Sequence, residues 1–244
     1  MLFTGIKMIF MRYMHKLRAG RVDFTQEELS SVLVNQAPGS PNLSILSFKG
    51  CFHGRTIGLL SCSHSRPIQG VDIPTMSWPK ADFPKYKYPL HENLRDNQLE
   101  DERCLALVEE LIEKAVCLLN KYFKFVIISI QTLDGQPVAG VISEPIQSEG
   151  GDNHASPAFF QGLKKICQKY DISLLMDEVQ TGAGGSGKMW CHEHFGVEAD
   201  VVTFSKKMLS GGVFHNLDHR FGHGSCLRNS FNVFSPDLPI LVES

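Results

Sequence analysis

The chain has 244 residues, which at roughly 100–200 residues per domain suggests one large domain or two small ones. Hydrophobic residues at 43% and charged residues at 20% make a packed core feasible, while a net charge of −2 gives no electrostatic case for nucleic-acid binding. No uncharged apolar run approaches the ~20 residues of a membrane span, and seven scattered cysteines without a C-x-x-C pair fit a reducing compartment better than a disulfide scaffold or zinc ribbon.

Residues 1–22 carry Lys7, Arg12, Lys16, Arg18 and Arg21 with no acid before Asp23, and apolar residues recur at helical spacing from Phe3 to Leu17. A mitochondrial transit peptide has that character. The preferred reading is an ordinary packed helix with a solvated basic face. Thr25-Gln26-Glu27-Glu28 resembles a capping box and opens a short helix to about Leu33. Asn35 to Pro41 reads as a loop, Leu43 to Phe48 as a strand, and the proline-dotted Pro67 to Pro89 as mostly irregular. Leu99 to Val116 follows as an amphipathic helix with Cys104, Leu107, Val108, Leu111 and Ile112 on one stripe.

Val138 to Ser143 reads as a strand, followed by a loop from Glu144 to Gly151. Ser156-Pro157 is a helix start, with Ser as the cap and Pro at the first helical position. Ile172 to Met176 and Val201 to Phe204 read as buried strands ending at Asp177-Glu178 and Ser205-Lys206-Lys207. Alternating strands and helices predict an α/β sheet with crossover connections. Ligands in such sheets sit beyond the carboxyl ends of the strands, where Glu144, Glu149, Asp177 and Lys206 all fall.

Three chemistries compete for these residues. Gly182 to Lys188 nearly matches a P-loop, but Met189 stands where a magnesium-holding hydroxyl is required and no strand leads into the glycines. His215, His219 and His223 recur every four residues, yet Gly222 and Gly224 break any helix there, so solvated tail histidines are expected and no metal site. His192 and His194 read as structural or surface-facing. The third reading is pyridoxal phosphate (PLP), which needs an amine for its carbonyl and a carboxylate for its pyridine nitrogen. Lys206, 29 residues after Asp177, supplies the pair.

The chain resembles the class III (subgroup II) PLP-dependent aminotransferases. The matching segments include Asn35 to Gly39, Phe52-His53-Gly54-Arg55-Thr56, Asp72-Ile73-Pro74, Glu144 to Ser156, Asp177 to Gly182 and Ala199 to Lys207. The EPIQSEGGDNHAS and TFSKK strings point to the branch acting on 4-aminobutyrate. The resemblance implies the large domain of the PLP-transferase fold (fold type I), incomplete here and covering residues 1–215. It implies transfer of the amino group of 4-aminobutyrate to 2-oxoglutarate, a homodimer, and the mitochondrial matrix. It also implies residue roles: Lys206 as the Schiff-base lysine, Asp177 as the pyridinium partner, Gln180 near the phenolic oxygen, and Phe52 stacked on the ring with His53 beside it. Arg55 becomes the substrate-carboxylate clamp, Glu149 the acid that neutralises a second arginine, and Glu144 its support.

Departures from the family pattern are equally plain. The resemblance places the family's phosphate-binding Gly-Ser loop, with the Cys-x-x-Cys ligands of an iron–sulfur cluster, N-terminal to the helix that begins here near Thr4, so neither is expected in this sequence. Residues 115–136 read as an apolar insert and 216–244 as an unrelated tail, so the family's phosphate-binding Thr and small C-terminal domain are expected to be missing. Alternative splicing or a gene-model error would produce such breaks. The chain is therefore expected to be weakly active or inactive, the alternative being a non-catalytic truncated subunit that associates with an intact enzyme.

Overall fold

The structure, a computed structural model, describes residues 1–123 and 136–220, without the side chains of 116–123. Most of the expected insert and the tail beyond residue 220 lie outside the described residues. The elements in chain order are α1 (Leu2–Leu17), α2 (Gln26–Val32), β1 (Ser44–Phe48), α3 (Ile57–Leu60), β2 (Lys80–Ala81) and α4 (Leu94–Phe123). They continue with β3 (Val138–Ser143), β4 (Ile146–Gln147), β5 (Asn153–His154), α5 (Pro157–Lys169), β6 (Ser173–Asp177), β7 (Val201–Phe204) and β8 (Gly212–His215).

Six strands form one sheet in the order β2-β1-β3-β6-β7-β8, parallel except for the β7–β8 pair. The expected strands are all present. Each is buried on both faces, as a parallel sheet covered by helices requires. Successive residues point to opposite faces. Leu46, Val141, Leu174 and Met176 pack with Val108, Phe159 and Leu163 of α4 and α5. Ile45, Ile142, Leu175 and Val201 pack with Ile6 and Ile9 of α1. Each such Ile or Leu contributes about 1.5–3 kcal/mol when fully buried.

Helix α1 confirms the packed-helix reading, and its basic side, with Lys16 and Arg21 exposed, is ion-paired at the surface. Arg12 and Lys16 both pair with Asp171, and Arg18 and Arg21 both pair with Glu28. Asp171, far along the chain, and the nearer Glu28 thus pair four of the five cations in a run that has no acid of its own. Close approach of α1 to the sheet requires small residues. A Cβ on Gly140 would meet Ile9 Cγ2 and Ser173 O at 2.8 Å, and one on Gly5 would meet Leu175 Cδ1 at 2.8 Å.

The Thr25 capping box closes as expected, with Glu28 N–H donating to Thr25 Oγ1 (3.1 Å) and Thr25 N–H to Glu28 Oε2 (2.7 Å). Ser156 caps α5 by accepting from Phe159 N at 3.0 Å. Helix α4 runs well past both ends of the expected Leu99–Val116, because no Gly or Pro interrupts the chain between Pro89 and Gly135. Strands β2 and β8 escaped the sequence reading. One is two residues long and the other is four residues beginning on Gly212, so neither carries a usable periodicity.

His219 corrects an expectation. It is fully buried, with Nε2 2.8 Å from Ser173 Oγ and Nδ1 2.6 Å from Asn216 Oδ1, rather than solvated in a tail. His215 is half-buried and His223 lies outside the described residues.

Candidate active site

The parallel register brings the strand ends together. Ser143 is level with Met176 and Asp177 with Thr203, so Glu144, Asp177 and the β7–Lys206 turn leave the sheet side by side. They open into a cavity of about 110 Å³ lined by Phe52, His53, Glu144, Asp177, Gln180 and Lys206, among others. Four separate segments supply those six side chains, so the site is a product of topology.

Asp177, 4% exposed, is held on every side. His53 Nδ1 lies 2.8 Å from Oδ2, Val179 N–H donates to Oδ1 (3.1 Å), and Thr203 Oγ1 donates to Oδ1 at 3.5 Å. Burial opposes charge on His53. The adjoining Cys51 sulfur and the Asp177 carboxylate outweigh it and lift the imidazole well above its ordinary range. Glu144 accepts from Phe52 N–H at 2.9 Å. Burial pushes its carboxyl up to about 7, against the opposing pull of His53. Phe52 lines the cavity half-buried.

Lys206 follows β7 with φ +27°, a left-handed backbone conformation that costs a non-glycine residue energy. Its Nζ donates to Gln180 Oε1 at 2.6 Å, and Lys207 Nζ donates to the Gln180 carbonyl at 2.6 Å. Gln180 is itself set by a clamp that sequence reasoning missed. Buried Glu178 accepts from His192 N (2.8 Å), contacts His192 Nδ1 (2.9 Å), and accepts from Thr181 Oγ1 (2.5 Å). Burial raises the Glu178 carboxyl, and those hydrogen bonds outweigh it to leave the group below its usual range. Nothing in the sequence spacing announces the pair.

Two expected site residues lie elsewhere. Arg55 is exposed and does not line the cavity. Glu149 also lies outside it, with Arg66 Nε at 3.1 Å and Gln69 Nε2 at 3.5 Å. Among the described residues Arg66 is thus the arginine that faces Glu149. The glycine run from Gly182 to Gly187 forms turns, and Lys188 Nζ donates to the Glu193 carbonyl at 3.1 Å. The run lies on the loop that leaves β6, with no strand running into it, so the P-loop arrangement is not formed.

The donor set fits the ring end of PLP. Asp177 offers a fixed carboxylate for a protonated pyridine, Lys206 an amine for a carbonyl, and Phe52 an aromatic wall. His53 Nε2, buried without a hydrogen-bond partner, marks polar capacity that the cavity leaves unused.

A class III aminotransferase family model matches residues 3–220, and the chain belongs to that family. Among curated relatives it is 52% identical over 219 residues to the mitochondrial 4-aminobutyrate aminotransferase of Homo sapiens, covering 89% of this chain and 40% of that protein. It is 50% identical over 216 residues to the 4-aminobutyrate aminotransferase of Dictyostelium discoideum, covering 88% of this chain and 40% of that one. The chain therefore spans about 40% of the length of these relatives. Solved structures agree on the fold. The lysine aminotransferase of M. tuberculosis matches with a TM-score of 0.60 at 25% identity, over 86% of this chain and 49% of that one. An (S)-enantioselective omega-transaminase from Thermomicrobium roseum matches with a TM-score of 0.56 at 27% identity, over 74% and 37%.

Proposed function

We propose that the chain carries the chemistry of a 4-aminobutyrate aminotransferase, moving an amino group to 2-oxoglutarate to give succinate semialdehyde and glutamate, at low turnover in this form. The observation that carries the reading is that Asp177 and Lys206, at the carboxyl ends of neighbouring parallel strands, open into one cavity. Relatives at 50–52% identity, named 4-aminobutyrate aminotransferases, support 4-aminobutyrate as the amino donor. When bound, PLP supplies the carbonyl that receives the amino group and the ring that absorbs carbanion charge.

The side chains divide the remaining work. Asp177 holds the pyridine nitrogen protonated, and His53 fixes which carboxylate oxygen faces the cavity. Lys206 Nζ takes and returns the proton at the carbon bearing the substrate's amino group, with Gln180 aiming it. Phe52 shields one face of the ring. Arg55 receives the substrate carboxylate through a two-pronged guanidinium contact. Glu149, supported by Glu144, neutralises the arginine that would otherwise hold a second carboxylate.

Low turnover rests on geometry. Arg55 stands outside a cavity far smaller than the about 300–1,000 Å³ of typical small-molecule sites, and misplaced positioning groups cost orders of magnitude in rate. The mitochondrial matrix and a homodimer are the proposed setting, the first supported by the names of the mammalian relatives. Purified chain with PLP, 4-aminobutyrate and 2-oxoglutarate is expected to form glutamate slowly, and Lys206→Ala to abolish both this and the cofactor's absorbance shift. An absorbance shift that survives Lys206→Ala sinks the proposal. A second reading, a non-catalytic subunit that joins an intact relative, draws on exposed Ile57, Ile68 and Val71; co-purification tests it.

A further inference from the structure

A second cavity, about 340 Å³, is framed by the stretch from Leu60 to Lys80 and shares no residue with the Lys206 cavity. Its walls carry two cations, Arg66 and Lys80, and no carboxylate. Among the described residues Lys80 has no acidic partner. Asp82, the acid nearest to it in sequence, is taken by Lys49 at 2.7 Å and Arg103 at 2.9 Å. Arg66 commits Nε to Glu149 at 3.1 Å, which leaves the rest of its five-donor fork available.

Two further groups shape the interior. Ser61, 1% exposed, accepts from Met76 N–H at 3.0 Å and keeps its own hydroxyl proton to donate. His64 contributes no charge. Burial first, then the nearby Lys80 and His53, lower its imidazole to about 4, and its Nε2 lies 3.1 Å from Ser47 Oγ. His64 therefore adds no charge of its own, and the Lys80 charge meets no counter-ion on the cavity walls.

We propose that this cavity is a binding site for a small oxyanion, a carboxylate or phosphate group, held between Lys80 and Arg66 with the Ser61 hydroxyl donating to it. The site shares no lining residue with the Lys206 cavity and needs no PLP, and it touches the transamination reading only through the Arg66–Glu149 pair. Occupancy also reaches Glu149, because Arg66 then serves the anion and the carboxylate together, so binding tightens when Glu149 is neutralised.

The test is calorimetric titration of the full chain with inorganic phosphate and, separately, with succinate. Saturable binding is expected, weakened about tenfold by Lys80→Gln and by Arg66→Gln, tightened by Glu149→Gln, and unchanged by Lys206→Ala. Phosphate alone, succinate alone, or both binding under this mutational pattern supports the site and identifies the group it takes. Lys80 is exposed on an edge strand, so Lys80→Gln keeps the fold, which circular dichroism verifies. Absence of saturable binding by either anion overturns the proposal. Binding that Lys80→Gln leaves intact, or that Lys206→Ala removes, overturns it equally.

Discussion

His53 Nδ1 stands 2.8 Å from Asp177 Oδ2, with both side chains sealed from solvent and 124 residues apart in the chain. The pair sets a pH dependence. The imidazole in the fold titrates well above its ordinary 6.5, despite burial, because Cys51 and Asp177 favour its charged form. The folded state therefore binds more protons than the unfolded chain above pH 6.5. The pair's contribution is complete below that value and is lost as pH rises through the raised one. Thermal melts should show stability falling on the alkaline side of neutrality, with His53→Gln flattening the fall. His53→Ala should cost about 3 kcal/mol by stranding Asp177. A wild-type alkaline slope that persists in His53→Gln would show that the charge lies elsewhere.

Glu144 adds a separate term. Burial raises its carboxyl from 4.5 to about 7, so it stays protonated in the fold where the unfolded chain has released its proton. Stability from this group should decline between pH 4.5 and about 7, by about 3 kcal/mol in all. Glu144→Gln keeps an oxygen for the Phe52 N–H, found at 2.9 Å, and removes the titration. The variant should melt higher than wild type at pH 8 and equally at pH 5. Equal melting at both values would mean that the buried carboxyl is ionised at little cost.

Most of the sheet was legible because parallel strands buried on both faces are continuous apolar runs, as in Val138–Ser143 and Ser173–Asp177. The strand-end positions of Asp177 and Lys206 followed from the same runs, so their shared cavity needed only the strand order to bring them together. The clamp on Gln180 was different. Glu178 and His192 sit 14 residues apart across irregular turns, where no periodicity specifies a contact. Arg66 facing Glu149 and His219 beneath β6 were hidden for a related reason. Their partners are 83 and 46 residues away, and charge or polarity alone reads as exposure.

His219 gives the opposite sign to Glu144. Burial, reinforced by Arg12, lowers its imidazole to about 4, so it stays neutral against Ser173 while the unfolded chain takes up a proton near 6.5. Its contribution is present above pH 6.5 and is lost as pH falls toward 4, by about 3 kcal/mol. Acid melts of His219→Gln should show a shallower decline than wild type between those values. Parallel declines would place the acid sensitivity in other groups.

Lys206 and Lys207 are adjacent in sequence and both reach Gln180, yet the fold separates them. Lys206 Nζ meets the Gln180 side chain and lines the cavity with Asp177. Lys207 Nζ meets the Gln180 carbonyl and lies over Gly185, where an added Cβ would come within 2.4 Å of it. Of the two amines, the first is the one that shares a cavity with Asp177. Borohydride reduction in the presence of PLP should therefore fix the cofactor on Lys206, read as a mass increment on the peptide bearing it. Lys207→Ala should keep that labelling and Lys206→Ala should lose it. Gln180→Ala should slow the labelling about tenfold, because an unanchored lysine samples many rotamers before finding the productive one. Label recovered on Lys207 in the wild-type chain would reverse the assignment.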